Sequence, residues 1–214
     1  MNILTFDIEE WFHILDHKYT KTEKQWDDFE YRIESNLERI LELLEKKNQK
    51  ATFFCLGWIA KKFPNILRKI DCNNYEIGSH SNLHTLAYDQ TRNEFKKDLL
   101  DSIKNIEDII GKKVIYYRAP GFSLINKNKW VFEELIEAGI EIDCSIFPAK
   151  RSHGGFLEFP SNHPSIIKIR DKKIKEFPIN TFDFAKKNII FSGGGYFRLF
   201  PYFLIYLLTK RSDY

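Results

Sequence analysis

The sequence predicts an α/β fold in which parallel strands alternate with helices, and three observations predict it. Short apolar runs at Ile3–Phe6, Ala51–Cys55, Tyr75–Gly78 and Val114–Tyr117 read as buried strands. Between them apolar residues recur at helical spacing. Several of these strands then deliver a polar cluster at the C-terminal end, where α/β proteins place functional groups. Alternation of this kind belongs to βα units around a parallel sheet or barrel.

In chain order, Ile3–Phe6 leads into Asp7-Ile8-Glu9-Glu10-Trp11-Phe12, where alternation places Asp7 and Glu9 on one side of an extended segment. Two carboxylates there are costly unless a cation or water meets them. A polar linker spans His17 to Asp28, and Ile33, Leu37, Ile40, Leu41 and Leu44 mark an amphipathic helix. Trp58, Ile59, Phe63, Ile66 and Leu67 mark another, interrupted near Pro64. The strand at Tyr75–Gly78 runs into His80-Ser81-Asn82-Leu83-His84, and the four-residue spacing predicts both imidazoles on one helix face. Phe95, Leu99, Ile103, Ile106 and Ile110 form a long stripe closed by Gly111. Val114–Tyr117 ends in Arg118-Ala119-Pro120-Gly121-Phe122, and a helix from about Lys127 to Ala138 precedes Ile140–Ile142 and Asp143. Beyond Pro148, Ile166–Ile169 and Ile174–Phe177 flank a charged turn and predict a hairpin. Ser192-Gly193-Gly194-Gly195 is a turn; with no G-K-[ST] after it, it is not read as a phosphate cradle.

Length and composition narrow the function. A chain of 214 residues builds one sizeable core, so a single unit over 1–214 is expected. Lysine and arginine number 33 against 30 acidic residues, without a basic stripe, which argues against nucleic acid as partner. Cys55, Cys72 and Cys144 are too few and scattered for a disulfide framework. The most apolar segment, Leu199–Leu208, is interrupted by Pro201 and too short to span a bilayer; it predicts a helix packed on a sheet or an interface. A strand at the very start, with no signal-peptide pattern, predicts a cytoplasmic protein, at the inner face of the membrane if its substrate is held there.

The strand-end clusters carry the chemistry. Asp7 with Glu9, His80 with His84, Arg118 and Asp143 share one face if the strands form a (β/α) barrel. One carboxylate and two imidazoles suit zinc or a similar divalent ion and leave coordination positions open. The second carboxylate is then free to act as a base, kept ionised by Arg118. Taken singly, Arg118 reads as a structural ion pair and Asp143 as a helix cap; their joint placement favours the functional reading.

These same stretches, Thr5-Phe6-Asp7-Ile8-Glu9, His80-Ser81-Asn82-Leu83-His84, Arg118-Ala119-Pro120-Gly121 and Asp143-Cys144-Ser145-Ile146-Phe147-Pro148, resemble in order the motifs of the polysaccharide deacetylase (NodB-homology) family. The D-x-E-E-W-F run is most similar to the branch associated with exopolysaccharide synthesis. The resemblance implies a distorted (β/α) TIM-like barrel and a metal-dependent hydrolase that removes N-acetyl groups from sugars of a polysaccharide or its precursor. It implies Glu9, His80 and His84 as ligands of one divalent ion, zinc being expected, and Asp7 as the base that takes a proton from the attacking water. Arg118 tethers Asp7, the backbone N–H near Gly121 stabilises the oxyanion, and Trp11, Pro120, Gly121, Phe122 and Phe147 line the sugar groove. For Phe147, core packing is an equal alternative.

The family's general acid, a histidine near the C-terminus that Asp143 would tune, has no counterpart after His163. The expectation is therefore a barrel incomplete at its C-terminus, with a short member borrowing His153 or His163 as the alternative. Cyclic imide or amide hydrolysis and a non-catalytic carbohydrate-binding role are the alternative functions. Sugar, metal identity and oligomeric state are left open.

Overall fold

The structure is a computed structural model that describes residues 3–15, 19–20, 22–149, 151, 153–184 and 187–211. Its centre is a seven-stranded sheet in the order β1-β2-β3-β4-β5-β7-β6. The parallel strands are β1 (Thr5–Ile8), β2 (Thr52–Cys55), β3 (Glu76–Ser79), β4 (Tyr116–Tyr117) and β5 (Ile142–Asp143). The expected hairpin forms as β6 (Ser165–Ile169) and β7 (Lys172–Glu176), and β7 adds to β5 in parallel. Among the described residues β1 and β6 are the sheet's two edges.

Helices cover the sheet because their apolar stripes have nowhere else to bury. The pieces α1 (Glu23–Trp26) and α2 (Ile33–Lys46) precede β2; α3 (Gly57–Lys62) and α4 (Pro64–Cys72) precede β3. Then come α5 (Arg92–Ile110), before β4, and α6 (Val131–Glu137), before β5. Ile33, Leu37 and Leu44 of α2, Ile66, Leu67 and Ile70 of α4, and Phe95, Leu99, Ile103 and Ile106 of α5 are all buried. Between these layers, Phe53 and Cys55 on one face of β2 and Phe54 on the other are wholly inaccessible, as expected of an interior strand buried on both faces. Each such aromatic or aliphatic side chain contributes about 1.5–3 kcal/mol over exposure. The ends of α5 are fixed chemically: Thr91 Oγ1 accepts from Glu94 N–H, Glu94 Oε2 accepts from Thr91 N–H at 2.8 Å, and Gly111 closes the helix at φ +66°.

Four local expectations shift. The first strand begins two residues late, so Asp7 lies within β1 rather than beyond it. Part of the presumed polar linker folds, as α1 buries Trp26 in the core. No helix carries the histidines: Ser81–His84 is a loop, with Ser81 at φ +68° and His84 at φ +57°. The apolar 199–208 segment does not pack on the sheet. After the hairpin β8 (Thr181–Phe184) and β9 (Lys187–Ile190), Pro201 splits it between α7 (Gly194–Leu199) and α8 (Tyr202–Arg211), neither of which buries a residue. Among the described residues no helix is long and apolar enough to cross a membrane.

Curvature brings the strand ends together. β1 and β4 are three strand spacings apart, about 14 Å in a flat sheet, yet a side chain after β4 bonds one in β1 (below). Gly78 in β3 permits that curl: a Cβ there would stand 2.7 Å from Tyr116 Cβ and 2.9 Å from Tyr116 O and Phe54 Cδ1. Gly78→Ala is therefore expected to destabilise the fold by about 1–3 kcal/mol, read as a lower urea midpoint by circular dichroism. An unchanged midpoint would show that β3 and β4 have room to spare.

Candidate metal centre

Three of the four strand-end clusters converge. Asp7 in β1, Glu9 just past it, His80 just past β3 and Arg118 just past β4 meet at one end of the sheet. Ligand atoms of Glu9, His80 and His84 all lie within 4.8 Å of one another. Glu9 Oε2 is 2.7 Å from His84 Nε2, yet it is a buried oxygen with no aligned hydrogen bond. A buried carboxylate oxygen left without a donor, facing two imidazoles, fits a divalent cation. His80 supports this: its Nδ1–H donates to Arg118 O at 2.8 Å, which fixes the tautomer and turns Nε2 toward the cluster. Burial, against the pull of Asp7 and Glu9, holds the pKa of His80 below its ordinary value, so the ring is neutral and able to ligate at pH 7.

The histidine loop is held in its left-handed turns by polar anchors. Ser81 O and Asn82 O accept from Gly57 N–H and Trp58 N–H, the first amides of α3, at 2.9 and 3.1 Å. Asp98 of α5 accepts from Asn82 N–H at 2.8 Å and Leu83 N–H at 3.2 Å. Ser102 Oγ donates to Ser81 O, and His84 N–H donates to Ser81 Oγ. Non-glycine residues at positive φ are retained where surroundings over-determine them, commonly at functional sites.

Arg118 is spent entirely on the cluster. Its Nη1 donates to Asp7 Oδ1 at 2.8 Å, Nη2 to Thr5 Oγ1 at 2.9 Å and Nε to Cys144 O at 3.3 Å, with the guanidinium 4.2 Å above the Phe54 ring. Burial pushes the Asp7 pKa up, but Arg118, His80 and His84 outweigh it, so the carboxyl sits below its ordinary value and is ionised at neutral pH.

Other expected residues fall differently. Asp143 is fully buried and, among the described residues, shares no hydrogen bond with a histidine; it accepts from Ser145 Oγ at 2.5 Å and faces Glu176 across the β5–β7 pairing. Ser145 Oγ in turn accepts from Ala119 N–H at 2.8 Å, so Asp143 reaches the site through the Arg118–Phe122 loop. Pro120 is buried, and Gly121 (φ +58°) lies against Leu15, Leu86 and His153. Phe122 and Phe147 meet edge to face at 5.2 Å, Phe147 buried. Trp11 does not face the cluster in any contact: its Nε1 donates to Glu30 O and its ring packs on Phe12 and Phe29. His163 lies in an exposed turn before β6.

Two residues were not foreseen. Asp98 stands among the apolar positions of α5, and an acidic residue between Phe95 and Leu99 was the available signal. His13 is buried with its ring 6.1 Å from that of His84 and accepts from Glu10 N–H; burial, with the two site histidines, lowers its pKa to about 3, so it is neutral.

Two outcomes are expected. His80→Ala and His84→Ala are expected to lose the divalent ion on equilibrium dialysis, and full retention would contradict the assignment. Arg118→Met leaves Asp7 without its cation and should cost about 3 kcal/mol at pH 7, less than for a wholly buried pair because Asp7 is 28% exposed. Because the folded Asp7 pKa is below its unfolded value of 3.8, that stabilisation is present above 3.8 and fades as pH falls through the folded pKa. Urea midpoints of wild type and Arg118→Met should thus converge in acid; an equal gap at all pH values would count against the pair.

A family model described as polysaccharide deacetylase matches residues 16–142, and one described as a domain of unknown function (DUF3473) matches 144–213. The seven-stranded sheet draws strands from both stretches. Among curated proteins, the chain is 33% identical over 97 residues to a peptidoglycan-N-acetylglucosamine deacetylase of Bacillus cereus, covering 45% of this chain and 35% of the relative. It is 30% identical over 82 residues to a chitooligosaccharide deacetylase of Azorhizobium caulinodans, covering 38% and 39%. The matches thus span less than half of these relatives' length. A crystal structure of the polysaccharide-deacetylase type from Mycobacterium smegmatis superposes with a TM-score of 0.67 at 23% identity, over 90% of this chain and 64% of that one. A CE4 family pseudoenzyme from Bacillus anthracis superposes at 0.51 and 23%, over 66% and 41%. At these identities the structures speak to fold alone: the α/β architecture of a distorted barrel. With its family model covering more than half of the sequence, the chain belongs to the polysaccharide deacetylase family.

Proposed function

We propose that this chain is a metal-dependent N-deacetylase acting on an N-acetylated amino sugar of a polysaccharide or its precursor, such as an exopolysaccharide under synthesis. The observation that carries it is the convergence of Glu9, His80 and His84 within 4.8 Å beside an ionised Asp7. The activities named for the curated relatives support the reaction class.

In this proposal Glu9, His80 and His84 hold one divalent ion, zinc by the nature of the donors. When bound, such an ion polarises the acyl carbonyl and makes water more acidic. Asp7 takes the proton of the attacking water as its oxygen bonds to the acyl carbon. Arg118 keeps Asp7 ionised and aimed. The Gly121 N–H donates to the acyl oxygen as negative charge develops there. Asp143 acts as a positioning residue, through Ser145 and Ala119, on the loop that presents Gly121. The carbon–nitrogen bond then breaks, and the departing amine takes its proton from His153, whose Cβ would stand 3.5 Å from a Cβ built at Gly121. Acetate and a free amino sugar result.

Acetate release from a panel of N-acetylated oligosaccharides tests the reaction. Asp7→Asn keeps the shape but accepts no proton, so turnover should fall roughly a hundredfold to ten-thousandfold while the metal is retained. A variant that loses its metal instead would exchange the roles of Asp7 and Glu9. Hydrolysis of a cyclic imide with no acetate from any sugar would overturn the proposal.

A further inference from the structure

Among the described arginines, Arg118 and Arg151 are the two that are not exposed. Each nitrogen of the Arg118 guanidinium donates a hydrogen bond, to Asp7, Thr5 and a carbonyl. Arg151 makes neither a hydrogen bond nor an ion pair within the described chain. Its guanidinium instead lies over two rings, 4.5 Å from the centre of Phe147 and 4.9 Å from that of Phe122. Burial draws its pKa below the ordinary arginine value, with Tyr196 opposing that pull. A half-buried cation is costly unless something compensates it. Contact with the two ring faces attracts the charge but satisfies none of its N–H donors.

The place of this cation in the fold gives it meaning. Phe122 is shared: Arg118 stands 5.6 Å from the same ring, and Arg118 bonds Asp7. Arg151 is therefore one aromatic ring away from the residues that flank the candidate metal centre. The loop that carries it is built to lie there. Gly155 N–H donates to Phe122 O at 3.2 Å. Gly154, at φ +65°, runs so close that a Cβ would fall 1.9 Å from Phe122 O. Only glycine permits that approach.

We propose that Arg151 is an anion-binding subsite of the substrate groove, so that the preferred substrate carries an oxyanion, carboxylate or phosphate, next to its N-acetylated sugar. The planar guanidinium matches two oxygens of such a group, and the Phe122 and Phe147 rings hold it ready before binding. This rests on the deacetylase reading above and adds the class of sugar. Two sources supply the same chemistry: a uronic acid residue within an acidic polysaccharide, or the phosphate of a nucleotide- or lipid-linked precursor.

The test compares acetate release by the metal-loaded full chain, wild type and Arg151→Ala, on three probes. These are a neutral chito-oligosaccharide, an oligosaccharide alternating N-acetylglucosamine with glucuronate, and UDP-N-acetylglucosamine. The wild type is expected to favour an anionic probe, and Arg151→Ala to lower the ratio of anionic to neutral kcat/KM by about tenfold to a hundredfold, chiefly through KM. Arg151→Lys should recover part of that ratio. Preference for the glucuronate probe assigns a polymer, and preference for the nucleotide sugar assigns a precursor. A ratio that Arg151→Ala leaves unchanged overturns the subsite while the deacetylase reading stands. If no probe releases acetate, the reading of the reaction fails by itself. Binding of the glucuronate oligosaccharide and of UDP-N-acetylglucosamine by calorimetry then decides the subsite: weakening of either by Arg151→Ala sustains it, and equal affinities or no binding reject it.

Discussion

The ion pair between Arg118 and Asp7 is the contact on which the rest depends. It joins residues 111 positions apart and crosses the two strands between β4 and β1. It exists only because the sheet curls, and Gly78 lets the strands approach closely enough for that. The same guanidinium is the foremost of the groups that hold the Asp7 carboxyl ionised against its burial. Arg118 also serves through its backbone: its carbonyl accepts from His80 Nδ1–H and so turns the other ring nitrogen toward Glu9. One residue thereby fixes the charge of the proposed base and the tautomer of a proposed ligand.

The histidines show how local propensity yields to tertiary demand. A helix would stack two imidazoles four residues apart on one face, and the same spacing in a loop reaches one point by another route. Here left-handed turns at Ser81 and His84 do it, held by the amides at the start of α3, by Asp98 and by Ser102. Those anchors come from distant segments, which explains their invisibility in the spacing itself. The loop is thus anchored by hydrogen bonds that need no ligand, which suits a metal site with open positions.

Much of this was legible from the sequence because strand ends in α/β folds carry function and the chain repeats that pattern. Asp7, Glu9, His80, His84 and Arg118 were all chosen from their positions after apolar runs, and all five meet. The departures have particular causes. Asp143 also follows an apolar run, but it lies within β5 and β7 with Glu176 covers it, and an inserted neighbouring strand leaves no trace in the local sequence. Trp11 was chosen for its motif, and its ring is taken up by Phe12 and Phe29. His13 was overlooked as one polar residue in an apolar stretch, and Asp98 as one of many charges along a surface helix, where neither carries a spacing signal. Arg151 lies beyond every motif, and only its two rings give it a role.

The proposed chemistry turns on a single ion at Glu9, His80 and His84. The most direct measurement is acetate release from an N-acetylated oligosaccharide by the full chain, stripped with a chelator and then titrated with zinc while bound metal is counted. Release that is absent after stripping and saturates at one ion per chain is the predicted result. Release that persists in the stripped protein would contradict it.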